Sequence, residues 1–259
     1  MMHPAIASAL VLVATWDSWH WYLGRVAMAP DDILALIVVI AILAMTGLRR
    51  IPPPTAAKQL PLATLALLLT GYAASRSVVP PIARAGLAAA LSLFCLHVTV
   101  FHRRPPAALW GMAALALPIL PSLQFMLGYP LRITSAALTA LLLKSHGLAI
   151  ERQGTFLLWK GAFVQFDAPC SGVNMLWAGL LFTLGACTLL QLGAMKTTAA
   201  VACSIVLAVA ANVLRTSSLY YLETGFTAGV PGWLHEATGL AAFALSAAVM
   251  GWLLNRLRA

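Results

Sequence analysis

Apolar residues fill most of this chain in blocks of about twenty, broken by short stretches that hold much of the Pro, Gly and basic content. Blocks of that length suit helices that cross a bilayer with a hydrocarbon core about 30 Å thick. They predict helices over residues 4–22, 32–48, 60–77, 83–101, 107–127, 172–193, 197–215 and 237–255. A further block, 131–149, is apolar but carries Arg132, Lys144 and His146, and reads as a re-entrant or interfacial segment. The pattern changes between 150 and 169. There Phe156, Leu157, Leu158 and Trp159, then Phe163, Val164 and Phe166, flank Lys160-Gly161. Aromatic and branched residues around a Gly turn predict a short surface β-hairpin. No internal repeat is visible. The expected fold is all-α: a polytopic transmembrane helical bundle of about eight helices, with a small hairpin on the extracytoplasmic side.

Composition narrows the class. Of 259 residues, 61% are hydrophobic and 9% charged, with a mean hydropathy of +0.90. A soluble domain carries about 25% charged residues. No stretch is long and polar enough for a separate soluble domain, so residues 1–259 read as one membrane domain. Within it, 1–127 supplies N-terminal helices. The net charge of +9 does not signal nucleic acid. The basic residues sit in short loops beside apolar blocks, as is usual for membrane helices, and none forms a basic run interleaved with aromatics. The apolar stretch from Pro4 to Trp16 has no Lys or Arg before it and ends in Trp16, Trp19, Trp21 and Tyr22. It reads as a retained first helix with an aromatic belt at the interface. With the N-terminus in the cytoplasm and 131–149 not crossing, both adjacent Arg pairs, Arg49-Arg50 and Arg103-Arg104, fall inside.

Candidate chemistry is concentrated near the C-terminal end. Of four cysteines, Cys95, Cys187 and Cys203 lie inside apolar blocks and read as small buried hydrophobes. Cys170 differs: it stands in Asp167-Ala168-Pro169-Cys170-Ser171-Gly172-Val173-Asn174, just ahead of a long apolar helix. Helix 172–193 leads away from Cys170 and helix 197–215 leads back, so Arg215 returns to the same membrane face. His235 then opens the last helix. Ser171 reads as an N-cap with Gly172 in the first turn, and a thiol beside a helix N-terminus is biased toward thiolate. Thiol, imidazole and guanidinium together supply a nucleophile, a proton carrier and an oxyanion stabiliser for acyl transfer.

Each residue also has a plainer reading: a small cap residue for Cys170, an interfacial anchor for Arg215, a loop histidine for His235. Their joint placement at converging helix ends favours function. Asn212 shares a helix face with Arg215; it either orients Arg215 or a substrate amide, or makes a helix–helix hydrogen bond. Ser171 and Asn174 are further substrate-binding or orienting candidates, and Asp167 and Glu236 weaker ones. The six histidines show no metal-ligand spacing and no Gly-rich phosphate loop follows a strand, so neither metal nor cofactor is expected. Two other classes compete: a transporter whose path Arg215, Asn212 and His235 line, and a non-catalytic protein of envelope polysaccharide assembly. A transporter needs no reactive Cys170, and the assembly protein would tolerate alanine at all three positions.

The stretches Ala168-Pro169-Cys170-Ser171-Gly172, Asn212-Val213-Leu214-Arg215 and His235 with Gly239 resemble the exosortase/archaeosortase family, in residues, order and spacing. The resemblance covers about 128–255, including Leu131-Arg132 and the approach through Gly154. It implies a multi-pass enzyme of the cytoplasmic (inner) membrane whose active site faces the extracytoplasmic side. It implies a cysteine protease or transpeptidase with Cys170 as nucleophile, Arg215 as transition-state stabiliser and His235 as proton carrier. The implied partner is an exported protein ending in a short motif, a transmembrane helix and a basic tail, cleaved through an acyl-enzyme and passed to an unknown acceptor. Membrane lipid is the surrounding partner; nucleic acid is not one.

Overall fold

The computed structural model describes residues 4–28, 33–47, 62–101, 104–159, 162–225 and 231–258. Among them the chain forms ten α-helices and one small sheet. The helices are α1 (Pro4–Ala14), α2 (Trp16–Met28), α3 (Ile33–Gly47), α4 (Leu62–Ala74), α5 (Pro81–Val100), α6 (Ala107–Leu115), α7 (Leu120–Ser145), α8 (Val173–Leu189), α9 (Ala194–Gly225) and α10 (Gly232–Arg258). Among the described residues, α5, α7, α10 and the Ala194–Leu222 part of α9 are long and apolar enough to cross a membrane. The shorter apolar helices are Ile33–Thr46 and Val173–Leu189. The fold is thus an all-α bundle of membrane type, as the apolar blocks predict.

Up to α7, three boundaries differ from the sequence expectation, each for a local reason. The block 4–22 divides at Thr15. That residue is fully buried, bonds back to the Val11 carbonyl at 2.7 Å, and accepts the indole N–H of Trp19 at 3.1 Å. The block 107–127 divides between α6 and α7, at Ala116–Ile119, where Pro118 and Pro121 both lack the N–H a continuous helix needs. Segment 131–149 is not a separate re-entrant piece: through Ser145 it belongs to the 26-residue α7, which runs on past Pro130.

The chain resolves into two compact units. The first holds the described residues up to Ile119, with Thr188–Ala194. In it α1 packs on α5, and Ala7, Val11, Leu65 and Cys95 form a buried cluster. Several polar groups of α2, α4 and α5 bond one another. The Arg84 guanidinium donates to the Asp17 carboxylate at 2.7 Å, the Tyr72 hydroxyl donates to the same carboxylate at 2.9 Å, and Ser18 lies 2.6 Å from that hydroxyl.

The second unit holds Leu120–Cys187 and the described residues from Met195. It contains the sheet, in the order β1 (Glu151–Gln153), β2 (Phe156–Trp159), β3 (Ala162–Gln165), all antiparallel. The sheet has three strands where a two-stranded hairpin was expected, because Gly154-Thr155 makes a second tight turn before β2. Leu157 and Phe166 face inward and join Ala136, Ala140, Leu143, Ile150 and Tyr220 in one buried cluster. That cluster fixes the sheet to α7 and α9, and β3 leads from it toward Cys170.

Candidate active site

Cys170 lies in a short 3-10 turn, Ala168–Ser171. Asp167 enters the turn extended (φ −78, ψ 179), and the Cys170 N–H donates to the Asp167 carbonyl at 2.9 Å. Gly172 leaves it left-handed, at φ +78, a conformation that costs a residue with a Cβ about 1–2 kcal/mol. Only then does α8 begin: the Leu176 N–H bonds the Gly172 carbonyl at 2.8 Å. Gly172, not Ser171, therefore holds the cap position by backbone geometry. Ser171 is buried, and its hydroxyl only reaches the Val173 N–H and the Gln124 amide oxygen at 3.4 Å, long for hydrogen bonds. Cys170 stands three residues ahead of α8 in a turn of its own, rather than inside the first turn of that helix.

The turn is pinned from α9. Asn212, 1% exposed, spends both hydrogens of its amide: Nδ2 donates to the Cys170 carbonyl at 2.9 Å and to the Ser135 hydroxyl of α7 at 2.9 Å. A Cβ at Gly172 would lie 2.8 Å from Asn212 Cγ, so the chain passes Asn212 at glycine-only distance. The Cys170 peptide is thus held on both sides, its N–H within the turn and its carbonyl by Asn212. The Cys170 side chain is half-buried and packs on the cluster of Leu157, Phe166 and Tyr220.

Arg215 does not close its helix, as the sequence suggested; α9 continues to Gly225. The reason is local. Thr216, Ser217 and Ser218 each turn the hydroxyl back onto a carbonyl four residues earlier, at 2.9, 2.7 and 2.9 Å, so the polar run has its hydroxyls bonded inside the helix. Arg215 lies less than one turn past Asn212 and is half-buried. Its side chain runs over Gly239 of α10, where a Cβ would sit 3.2 Å from Nε. His235, also half-buried, lies in the first turn of α10, four residues before Gly239 and on the same helix face. The links run from Cys170 to Asn212, one turn on to Arg215, across to Gly239, and one turn back to His235. One region of the second unit therefore holds all three candidate catalytic groups. A cleft of about 300 Å³ opens at Arg215, lined also by Gly172, Asn174, Ala178, Gly239 and Phe243 among others.

Two of the polar contacts here were not foreseen. Gln124, on α7, donates to the Asn174 side-chain oxygen at 2.9 Å. Its one signal was a lone amide in an otherwise apolar block. Ser135 gave no signal at all, being one hydroxyl in an apolar helix. Asn174 is exposed at the cleft, and Asp167 and Glu236 are exposed as well. Cys95 and Cys187 are buried within helices, as expected, whereas Cys203 lies exposed on α9. Among the described residues no three His, Cys, Asp or Glu side chains converge as metal ligands.

Compared with known proteins, residues 30–252 match the family model described as transmembrane exosortase (Exosortase_EpsH). No curated protein and no solved structure matches the chain.

Proposed function

This chain belongs to the transmembrane exosortase family, and on that premise we propose that it is a cysteine transpeptidase acting through Cys170. Membership itself carries a multi-pass membrane protein with a transpeptidase-type role in general. The finer reading is ours. The substrate is an exported protein with a C-terminal motif, a transmembrane helix and a basic tail. It is met at the extracytoplasmic face of the cytoplasmic membrane.

In this scheme the Cys170 thiolate attacks the scissile carbonyl, and Arg215 stabilises the oxyanion that forms. His235 delivers a proton to the leaving amine as the peptide C–N bond breaks, leaving a thioester on Sγ. An amine, a hydroxyl or water then attacks the thioester, and its proton returns to His235 as the thiolate departs. The observation that carries this reading is the chain of neighbours through Asn212 and Gly239. It links a nucleophile, a cation and an imidazole, and the cation lines a cleft.

The test is a comparison of wild type with Cys170→Ala, Arg215→Ala and His235→Ala in cells that express an exported protein of this design. Each variant should leave the C-terminal segment uncleaved, and an impermeant maleimide should label Cys170 in intact wild-type cells. Normal cleavage by Cys170→Ala would rule out the acyl-enzyme. Labelling that requires permeabilised cells would place the thiol on the wrong face.

A further inference from the structure

The three-stranded sheet has two edges, and they differ. β1 is three residues long, with every side chain exposed and with Glu151 and Arg152 on it, the kind of charge that blunts strand pairing. The β3 edge carries no charge or proline among its described residues. Its backbone polarity follows from the register. Phe166 stands opposite Thr155, continuing the pairing of Gln165 with Phe156, and the Phe166 N–H donates to the Thr155 carbonyl at 3.0 Å. Bonded and non-bonded pairs alternate in an antiparallel ladder. Val164 therefore turns its N–H and C=O toward Leu157, while Phe163 and Gln165 turn theirs away from β2. Phe163 is 66% exposed, Gln165 is exposed, and among the described residues no strand pairs with this side.

The edge is also tied to the reactive turn. Val164 packs on the same buried cluster as Cys170, and Phe166 belongs to it, so strand and thiol ride on one block. Asp167 keeps the backbone extended into the turn. Cys170 stands five positions past Gln165, at most about 18 Å of chain. An extended peptide paired along β3 would cover that distance with roughly five residues at about 3.3 Å each.

We propose that the outer edge of β3 binds the extended stretch of substrate polypeptide near the scissile bond, which adds as a fourth strand bonded to the main chain of Phe163 and Gln165. The inference rests on Cys170 being the nucleophile. The ligand is recognised first by its extended backbone. Phe163, opposite Leu158 on the outer face of the sheet, favours an apolar or aromatic residue beside it in the added strand.

The probe is an exported protein that accumulates uncleaved in cells carrying Cys170→Ala. Its processing is followed in membranes with Phe163→Pro or Gln165→Pro, against Phe163→Ala and Gln165→Ala. Proline at these positions removes only an N–H that β2 does not use, and edge strands tolerate it. Each proline variant should slow processing roughly ten-fold or more at limiting substrate, with recovery at high substrate and wild-type maleimide labelling of Cys170. Gln165→Ala should slow processing less than Gln165→Pro, because it keeps the main-chain bond.

Wild-type processing by both proline variants overturns the proposal. So does a change in oligomeric mass without a change in processing, which would make the edge a contact between two copies. If a proline variant loses labelling as well, a peptide spanning the cleavage site decides, N-methylated at one position at a time and assayed as an inhibitor of wild type. Loss of inhibition at every second position supports strand addition; indifference to position refutes it. If no exported protein accumulates uncleaved in Cys170→Ala cells, the catalytic reading and this one fall together, whereas normal processing by the proline variants alone removes only this one.

Discussion

Gly172→Ala tests the site geometry most directly, because two separate costs fall on one methyl group. The first is conformational: φ is +78, where a residue with a Cβ loses about 1–2 kcal/mol. The second is steric: the new Cβ would lie 2.8 Å from Asn212 Cγ, 2.9 Å from Nδ2 and 3.1 Å from Cβ. Asn212 cannot swing aside freely, since it is 1% exposed and bonded to both Ser135 and Cys170. Forced overpacking of this kind costs about 1–3 kcal/mol, giving a total of about 2–5 kcal/mol. Gly154→Ala is the control. Its φ is +62 but nothing lies within 4 Å, so only the conformational cost applies. At about 2–4 °C per kcal/mol for a chain of this size, Gly172→Ala should melt roughly 2–12 °C below Gly154→Ala in detergent micelles, followed by circular dichroism. The double variant Gly172→Ala/Asn212→Ala loses the contacts to Cγ and Nδ2 but keeps the one to Cβ at 3.1 Å, so it should recover only part of the steric cost, a coupling of about 0.5–2 kcal/mol. Equal melting of the two single glycine variants, or strict additivity in the double, would refute the close approach of Gly172 to Asn212.

Four further outcomes follow from particular contacts. Gly239→Ala crowds Arg215 Nε at 3.2 Å, but the end of a long side chain can yield. Stability should change by less than about 1 kcal/mol while substrate processing falls roughly ten-fold from the displaced guanidinium. Asn212→Ala removes two buried bonds, and at about 0.6–1.7 kcal/mol each in membrane bundles it should cost about 1–3 kcal/mol, read as a lower melting midpoint. Asp17→Asn breaks a pair whose carboxylate is 36% exposed. Its cost should be about 1–3 kcal/mol, below that of breaking a fully buried pair, and Tyr72→Phe should cost about 1 kcal/mol. Gln124→Ala removes only exposed or long contacts and should shift the midpoint by less than about 0.5 kcal/mol equivalent.

What the sequence made legible follows from which interactions are local. Apolar blocks of membrane length report one strong constraint, that backbone polar groups in lipid be bonded within the helix, and the blocks 32–48, 60–77, 83–101 and 172–193 were readable to within a few residues. Helix limits were not, where side chains settle the backbone. Arg215-Thr216-Ser217-Ser218 reads as a loop by polarity. Yet each hydroxyl returns to a carbonyl one turn back, and α9 gains about three turns beyond the limit read from hydropathy. The same limit applies to the site. Cys170, Arg215 and His235 could be singled out because reactive groups are rare in such a chain. Their linkage could not, because it runs through an asparagine to a main-chain oxygen and through two glycines that serve by lacking a side chain. Gly172 and Gly239 let a turn and a helix pass close to Asn212 and Arg215. A Cβ at Gly239 should therefore disturb the site before it disturbs the bundle, whereas one at Gly172 should disturb both.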